Sequence, residues 1–332
     1  MTWPSISGVY GATDPIFLLL AALALDAYVG DILGRLPRIP HPRALVVRLA
    51  HWLEPQLNRP TPSRRGLLAR GAATAVAVTA LAAAAGWGIA YLTRSVPFLW
   101  ALELFLIASL ISQRAAGRHA LAVAHALERR QMGVARRDLT ALAGELLDPN
   151  AIRGMDPRAV SLSAVAGLGE RFVSAVVAPA FWFVLLGLPG LLGQQALRSY
   201  ATAVATSNRP GGGGYRRGDE GDFAFPAARL DAALDWIPDK LAGLLLAVAA
   251  AFVPTAHPGM AFRRLADGPW WAISALGGAL RLTGGTNGAR TGADAPEANQ
   301  VGRGVGVFAI GCLVHAGLLG GLLVLRQLGV SP

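Results

Sequence analysis

The stretch ALDAYVGDILGRLPRIPHPRALVVRLAHWLEPQLNR, residues Ala24 to Arg59, joins an apolar segment to a strongly polar one. It begins as an apolar helix that carries a single carboxylate, Asp26, and continues through a turn that contains Asp31. His41 then stands between two prolines, whose fixed backbone lowers the entropy cost of holding the imidazole in place. Residues Ala44 to Leu57 follow as a short amphipathic segment. These groups carry more chemistry than a loop between two membrane spans requires.

The composition predicts an integral membrane protein. Of the 332 residues, 53% are apolar and only 15% are charged, and the mean hydropathy is +0.45. An ordinary soluble domain of this length is less apolar than that. The apolar runs Leu67 to Leu92 and Val305 to Leu325 exceed the roughly 18 residues that a helix needs to cross the hydrocarbon layer.

Shorter or interrupted apolar runs supply the remaining membrane segments. Pro15 to Val29 and Val96 to Ser112 are predicted as the first and third spans, and Glu103 lies in the middle of the third. Val173 to Leu197 is interrupted by Pro179 and by a Gly-Leu-Pro-Gly sequence, which favours a re-entrant or broken helix. The sequence therefore predicts an all-α, polytopic membrane protein with about five to six membrane segments, one of them re-entrant, and amphipathic cytoplasmic helices.

The net charge of +10 is attributed to arginines that flank the spans and not to a nucleic-acid surface. Seven arginines lie between residues 30 and 66, and nine more lie between residues 113 and 171, so both segments are predicted to be cytoplasmic. We expect a single domain over residues 1–332, with a cytoplasmic helical loop at 113–171 and a polar loop at 198–236.

No protein-bound metal cluster is expected. Cys312 is the only cysteine, which excludes disulfides within the chain and thiolate metal sites. The histidines show no metal-ligand spacing; they are His41, His51, His119, His125, His257 and His315.

Three ordered groups of residues resemble the signatures of the CbiB/CobD family of cobalamin-biosynthesis membrane proteins. The first group comprises Asp26, Gly30, Asp31, Leu36, Pro37, Pro40, His41, Pro42, Arg48, Glu54 and Asn58. The second comprises Val176, Val177, Ala178, Pro179, Phe181 and Trp182. The third comprises Arg229, Leu230, Asp231, Trp236, Ile237 and Pro238. No single composition bias would generate all three.

The resemblance implies an adenosylcobinamide-phosphate synthase. Such an enzyme joins a propionate carboxylate of a corrinoid substrate, adenosylcobyric acid, to the amine of aminopropanol or its phosphate, and it consumes ATP with Mg²⁺. The resemblance also implies a multi-pass protein of the bacterial inner membrane with its motif loops on the cytoplasmic side. The expected partners are the corrinoid, aminopropanol or its phosphate, the lipid bilayer and a soluble cobalamin-biosynthesis protein, with no nucleic acid.

The candidate site residues are chosen by chemical type within these motifs. Carboxylates hold Mg²⁺, arginines clamp phosphate or carboxylate groups, and a histidine accepts a proton. The predicted catalytic residues are His41, Asp231 and Glu54. The predicted substrate-binding residues are Asp26, Asp31, Arg48, Asn58, Glu170, Arg229 and Trp236. The candidate metal ligands are Asp26, Asp31 and Asp231.

Structural roles are open for several of these residues. Asp31 and Asp231 are candidate helix caps, because aspartate is common beside a helix start. Asp26 reaches the lipid headgroups in the simplest interpretation, and Arg48 neutralises the membrane surface. Trp236 is more typical of an interfacial anchor than of a platform for the corrin ring.

Several polar positions depart from the family pattern. An Ala-Glu-Asn…Asp element appears here as Gly169, Glu170, Arg171 and Ser174, and an Asn-Thr-Leu-Asp element as Arg198, Ser199, Tyr200 and Ala201. In the third motif the second Asp is Ala232 and the Asn before Trp236 is Asp235. Two further functions therefore stay open. The chain is alternatively a membrane scaffold that recruits soluble corrinoid enzymes or, with less support, a transporter that uses Glu103.

Overall fold

The computed structural model describes residues 14–30, 42–58, 63–96, 98–143, 147, 149–207, 221–265, 267–282 and 297–328. Asp31 and His41 lie outside them. Within the described residues all regular secondary structure is helical. The α-helices are α1 Pro15–Val29, α2 Pro42–Leu57, α3 Arg64–Ser95, α4 Trp100–Leu110, α5 Gln113–Glu128, α6 Met132–Ala143, α7 Pro149–Arg153, α8 Pro157–Phe172, α9 Ala178–Leu186, α10 Leu188–Ser207, α11 Phe225–Ala249, α12 Pro258–Arg264, α13 Trp271–Ala279 and α14 Glu297–Gln327.

Three helices of the described residues are long and apolar enough to cross a membrane. They span Arg64–Thr93, Pro157–Leu186 and Asn299–Gln327, and α1 is a shorter apolar helix. The prediction of an all-α membrane protein is therefore confirmed. The figure of five to six segments stays a prediction.

The predicted third span, Val96 to Ser112, is wrong. Its helix, α4, has 11 residues and is about 16 Å long, which is about half the thickness of the hydrocarbon layer. The chain is extended at Ile111, the residue after α4, so the helix cannot continue. The hydroxyl of Thr93 donates to the carboxylate of Glu103 at 3.1 Å, and this buried contact ties α4 to the end of α3.

The predicted boundary near residue 172 is also wrong, because the apolar helix begins at Pro157. α8 continues into a π-helical turn, Val173–Val177, and then into α9 without a break. The last part of the predicted loop at 113–171 therefore belongs to a helix of membrane-spanning length. Pro179 does not interrupt the helix, since it follows the wider turn at a position where its missing N–H is tolerated.

The chain turns back at Gly187, which has a φ of +70° that disfavours any side chain. Gly190 then packs on Trp182, and the side chain of Gln195 bonds to Ser174 further down the hairpin. These contacts make α10 antiparallel to α9 and α8. The break falls at the Gly-Leu-Pro-Gly sequence and not at Pro179, and the re-entrant segment stays a prediction.

The buried apolar residues form two separate clusters. The larger cluster lies among α1, α4 to α9 and α11 to α14, together with the end of α3 and the start of α10. The smaller one lies among α2, the first half of α3, the rest of α10 and the start of α11. α10 and α11 each pass from one cluster to the other. Polar side chains buried on these two helices therefore meet at the boundary between the clusters.

Two glycines of α3 provide a matched test of the packing against the hairpin tip. A Cβ added at Gly86 would lie 2.8 Å from Cα of Pro189 and 2.9 Å from the carbonyl oxygen of Leu188, whereas one at Gly88 would meet nothing within 4 Å. We expect Gly86→Ala to lower the free energy of unfolding by about 1–3 kcal/mol, because backbone atoms must move apart. Gly88→Ala should be neutral or stabilising by up to about 1 kcal/mol. Melting temperatures of the detergent-purified proteins, taken at one scan rate, check this, and equal values would contradict the close contact.

Candidate functional site

A polar cavity of about 300 Å³ lies between α2, α10 and the junction of α8 with the π-helical turn. Its lining combines cationic, hydroxyl and amide side chains with two small apolar residues. The lining residues are Arg43, Val47, His51, Arg171, Ser174, Gln195, Arg198, Ser199, Thr202, Ala203 and Thr206. Among these described lining residues there is no aspartate or glutamate.

Helical spacing places these residues on one face of each helix. Arg43, Val47 and His51 recur every four residues along α2, and the five lining residues from Arg198 to Thr206 recur along α10 at intervals of one, three or four. Beside the lining residues of α2, Ala50 is fully buried and packs with apolar residues of α10. The cavity is therefore a gap between two packed helices.

Arg198 is the central charged group of the site. Its Nη1 atom donates to Oδ2 of Asp235 on α11 at 2.5 Å, and its Nη2 atom donates to Oε1 of Glu170 on α8. The side chains of Arg198, Glu170 and Asp235 are 13%, 12% and 8% exposed. One guanidinium thus joins three helices, and both carboxylates are neutralised where they are buried.

The π-helical turn supplies further polar contacts because Pro179 has no N–H. The carbonyl groups of Ser174 and Ala175 lie five and four residues earlier. The missing N–H leaves one of them without a helical donor, and the change from π-helical to α-helical pairing leaves the other. Gln195 donates from Nε2 to the Ser174 carbonyl at 3.3 Å, and the amide of Ser112 donates to the Ala175 carbonyl at 3.3 Å. The same proline that widens the helix thereby fixes α10 and the start of α5 against it.

The other two arginines of the cavity lining, Arg43 and Arg171, donate to backbone carbonyl groups at the carboxyl ends of helices. Arg43 donates from Nη2 to the carbonyl of Leu110, the last residue of α4, at 2.8 Å. Arg171 donates from Nε to the carbonyl of Leu142 at 2.9 Å, and from Nη2 to that of Ala141, in the last turn of α6. The partial negative charge of a helix end favours a cation there, so both guanidinium groups are held at the wall of the cavity.

The helices that carry the first and third sequence motifs, α2 and α11, both contact α10. α2 begins directly after His41, and its residues Arg43 and His51 line the cavity. α11 carries Asp231 and Asp235 one helical turn apart, both buried, and Asp235 pairs with Arg198. Glu170, predicted as a substrate-binding residue, is the second partner of Arg198.

Asp26 is buried away from the cavity lining and caps α5. Its Oδ2 atom accepts from the backbone amides of Gln113 at 2.9 Å and Arg114 at 3.3 Å, which are the first residues of that helix. The side chain of Gln113 returns a bond to the carbonyl of Leu23. Asp26 therefore joins α1 to α5, and it does not extend to the lipid headgroups.

The remaining predicted residues of the described chain lie outside the cavity lining. Glu54 accepts from Nδ2 of Asn58 at 2.8 Å, so these two side chains pair with each other at the end of α2. Arg48 is exposed and absent from the cavity lining, which fits the membrane-surface role that the sequence left open and makes it a control for the lining arginines. The guanidinium of Arg229 lies over the ring of Phe225 at 4.9 Å.

Trp236 is 61% exposed, and the ammonium of Lys240 lies 4.7 Å from its ring centre. It faces away from the buried side of α11 that carries Asp235. This position fits the interfacial role that the sequence left open.

Sequence reasoning missed Arg43, Arg171, Ser174 and Arg198 as site residues. Three of them, Arg171, Ser174 and Arg198, stand where the chain departs from the family pattern, as does Asp235. The structure brings these departures together at one place. Ser174, Arg198 and Asp235 are connected by hydrogen bonds through Glu170, and Arg171 lines the same cavity. The sequence alone presents them as separate losses.

The described side chains at the cavity do not fit a magnesium ion held by protein carboxylates. The described residues contain no group of three or more His, Cys, Asp or Glu side chains arranged to hold a metal. At the cavity both nearby acids, Glu170 and Asp235, are already bonded to Arg198. No step of the chemistry is therefore assigned here to a metal bound by the protein.

These features define an all-helical membrane protein whose helices enclose a polar, arginine-lined cavity. The family model described as CobD/Cbib protein matches residues 19–306, and the chain belongs to the CobD/CbiB family, as its motifs predict.

Curated relatives support the same assignment. The cobalamin biosynthesis protein CobD of Brucella anthropi is 30% identical over 240 residues, which cover 71% of this chain and 68% of that protein. The protein of that name from Rhizobium meliloti is 29% identical over 242 residues, with 73% and 70% covered. One from a Sinorhizobium species is 27% identical over 337 residues, with 92% and 98% covered. No solved structure matches the chain.

The cap formed by Asp26 yields a stability prediction. Asp26→Ala leaves the first amides of α5 without their acceptor and should lower the free energy of unfolding by about 0.5–2 kcal/mol. Asp26→Asn keeps an oxygen acceptor and should lose less. Thermal unfolding followed by circular dichroism in one detergent compares the two variants with the wild type. A melting temperature of Asp26→Ala equal to that of the wild type would contradict the capping role.

Proposed function

We propose that this chain acts in cobalamin biosynthesis as a membrane enzyme that joins a carboxylate of a corrinoid to the amine of aminopropanol phosphate. ATP supplies the free energy for the amide bond. The observation that carries the proposal is the cavity between α2 and α10, where three arginines, a histidine and several hydroxyl groups converge. This lining suits a small anionic ligand.

The size of the cavity indicates which part of the reaction it serves. The cavity has a volume of about 300 Å³. A corrin ring is far larger, whereas a single carboxylate arm or a small phosphate ester can enter. The ring therefore lies outside, and the cavity receives the small substrate together with the reacting arm.

The charge of the cavity favours the phosphate ester over free aminopropanol. Free aminopropanol is a cation near neutral pH, and the arginines at the wall repel a cation. The phosphate ester carries a dianionic group that guanidinium groups bind through paired hydrogen bonds. The hydroxyl groups of Ser199, Thr202 and Thr206 lie on the same face of α10 and can donate to phosphate oxygens.

The amine must lose a proton to become a nucleophile. Among the described lining residues, His51 has the only imidazole, the side chain that most often accepts a proton in general-base catalysis, so we assign it as a candidate base. The predicted catalytic roles of His41, Asp231 and Glu54 stay predictions. Asp231 has the better position of the two described acids, since it is buried one turn from Asp235.

The proposed setting is the bacterial inner membrane, with α2 and the cavity on the cytoplasmic side, where ATP is available. α2 presents Leu45, Leu49 and Trp52 on an exposed face beside Arg48. Such a helix is typical of a membrane surface. A soluble biosynthetic partner on the arginine-rich loops stays a prediction.

Ligand binding tests the cavity directly. Aminopropanol phosphate should raise the melting temperature of the purified protein by several degrees, because a ligand at one hundred times its Kd stabilises by about 2.7 kcal/mol. Free aminopropanol at the same concentration should leave it unchanged. The shift should disappear in Arg43→Ala and persist in Arg48→Ala. Equal shifts with the two amines would contradict the assignment of the phosphate ester.

Complementation tests the reaction. In a cobalamin-producing strain that lacks this gene, the wild-type gene should restore cobalamin synthesis, and Arg48→Ala should restore it as well. Arg43→Ala should reduce the yield by at least roughly tenfold, which corresponds to about 1.4 kcal/mol of lost interaction with the ligand. The measurements are the cobalamin content of the cells and the amount of corrinoid acid that accumulates. Immunoblots of membranes control for protein level, and full rescue by Arg43→Ala would rule out this cavity as the reaction site.

A further inference from the structure

The carboxylates of Glu170 and Asp235 have a complete set of hydrogen-bond donors. Arg198 donates to Oε1 of Glu170 and to Oδ2 of Asp235. Ser174 donates from its hydroxyl to Oε2 of Glu170 at 3.3 Å, and Gln194 donates from Nε2 to Oδ1 of Asp235 at 3.4 Å. Each of the four carboxylate oxygens therefore has a donor from this chain.

This arrangement has the composition of a divalent-cation site with a guanidinium in the place of the cation. Two buried carboxylates from different helices converge, and a hydroxyl and a side-chain amide, which are themselves oxygen ligands for Mg²⁺, lie beside them. The positive charge between the acids belongs to Arg198, which is attached to α10. A second cation at the same place would meet a like charge and acids that are already bonded.

We propose that Arg198 is the resident cation of this site, so that the cavity binds its anionic ligand without a divalent metal held by the protein. Arg198 also lines the cavity, which places its positive charge between the two acids and the ligand. Its role toward the ligand is that of a fixed cation. Unlike a bound ion, it cannot dissociate.

The proposal makes opposite predictions for the wild type and for a variant that lacks the guanidinium. The wild-type protein should bind inorganic phosphate with a Kd that changes by less than about twofold between EDTA and millimolar Mg²⁺. It should bind no Mn²⁺ at this site in titrations followed by electron paramagnetic resonance. Arg198→Ala removes the cation and leaves two buried acids that a divalent ion can bridge. This variant should bind one Mn²⁺ per chain at least roughly tenfold more tightly than the wild type.

The controls separate this site from others. Adding Asp235→Asn to Arg198→Ala should abolish the gained Mn²⁺ binding, whereas Arg48→Ala alone should gain none. Stoichiometric Mn²⁺ binding by the wild type that Glu170→Gln abolishes would overturn the proposal, and so would a folded Arg198→Ala protein that binds no Mn²⁺. If Arg198→Ala does not fold, the wild-type measurements decide alone, since phosphate binding that requires Mg²⁺ also overturns the proposal.

These measurements do not depend on the proposed ligation, because both are binding assays on the purified full chain. A failure here would leave the cavity and its complementation test intact. Conversely, a loss of ligation activity in the cells would not alter the expected metal and phosphate binding.

Discussion

Backbone hydrogen bonding in an apolar medium is the constraint on which the arrangement around the cavity depends. An unpaired carbonyl at membrane depth costs several kcal/mol, so a spanning helix must satisfy each of these groups internally. Pro179 removes one donor from the longest buried segment, and the chain compensates with a π-helical turn and two bonds from elsewhere. One of those donors is Gln195 of α10 and the other is Ser112, which directly precedes α5. The helix irregularity therefore fixes two other helices relative to it.

The ionic group at the boundary of the two apolar clusters follows from this placement. Antiparallel packing of α10 on α8 brings Arg198 level with Glu170, and α11 adds Asp235 from the other side. Desolvating three charges is expensive, and only close pairing with further hydrogen bonds offsets the cost. Gln194 and Ser174 provide those bonds. The polar group is thus satisfied within the protein, even though it lies between apolar surfaces.

The sequence predicts the parts of the fold that depend on length and apolarity. The bounds of α1 and the long apolar runs within α3 and α14 agree with the structure because a helix in a membrane has a minimum length. It misplaces the start of α8, a helix in which Gly167 and Gly169 have a low intrinsic helix propensity. In the structure they allow close packing, because an added Cβ would lie 2.9 Å from Ala143 and 3.0 Å from Ile273. The tertiary contact overrides the low helix propensity of glycine.

The site is less visible in the sequence because its pairs join distant residues. Glu170 is identified from its motif, but an arginine near an apolar run has the same appearance whether it orients a span or neutralises buried acids. Arg48 and Arg198 illustrate this, since the first is exposed and the second is buried between Glu170 and Asp235. Local periodicity cannot distinguish the two cases.

The charged side chains of this buried group depend on one another for an electrostatic reason. Arg198 without Glu170 and Asp235 would be a buried, uncompensated cation, and the two acids without Arg198 would repel each other in a medium of low polarity. The buried carboxylate of Asp235 is tolerable because the cation of Arg198 faces it. A further acid at position 174 would exceed the charge that one guanidinium can neutralise. Ser174 instead donates a hydrogen bond to Glu170. Ser174, Arg198 and Asp235 therefore belong to one buried group, in which the cation, the acids and the hydrogen-bond donors each depend on the others.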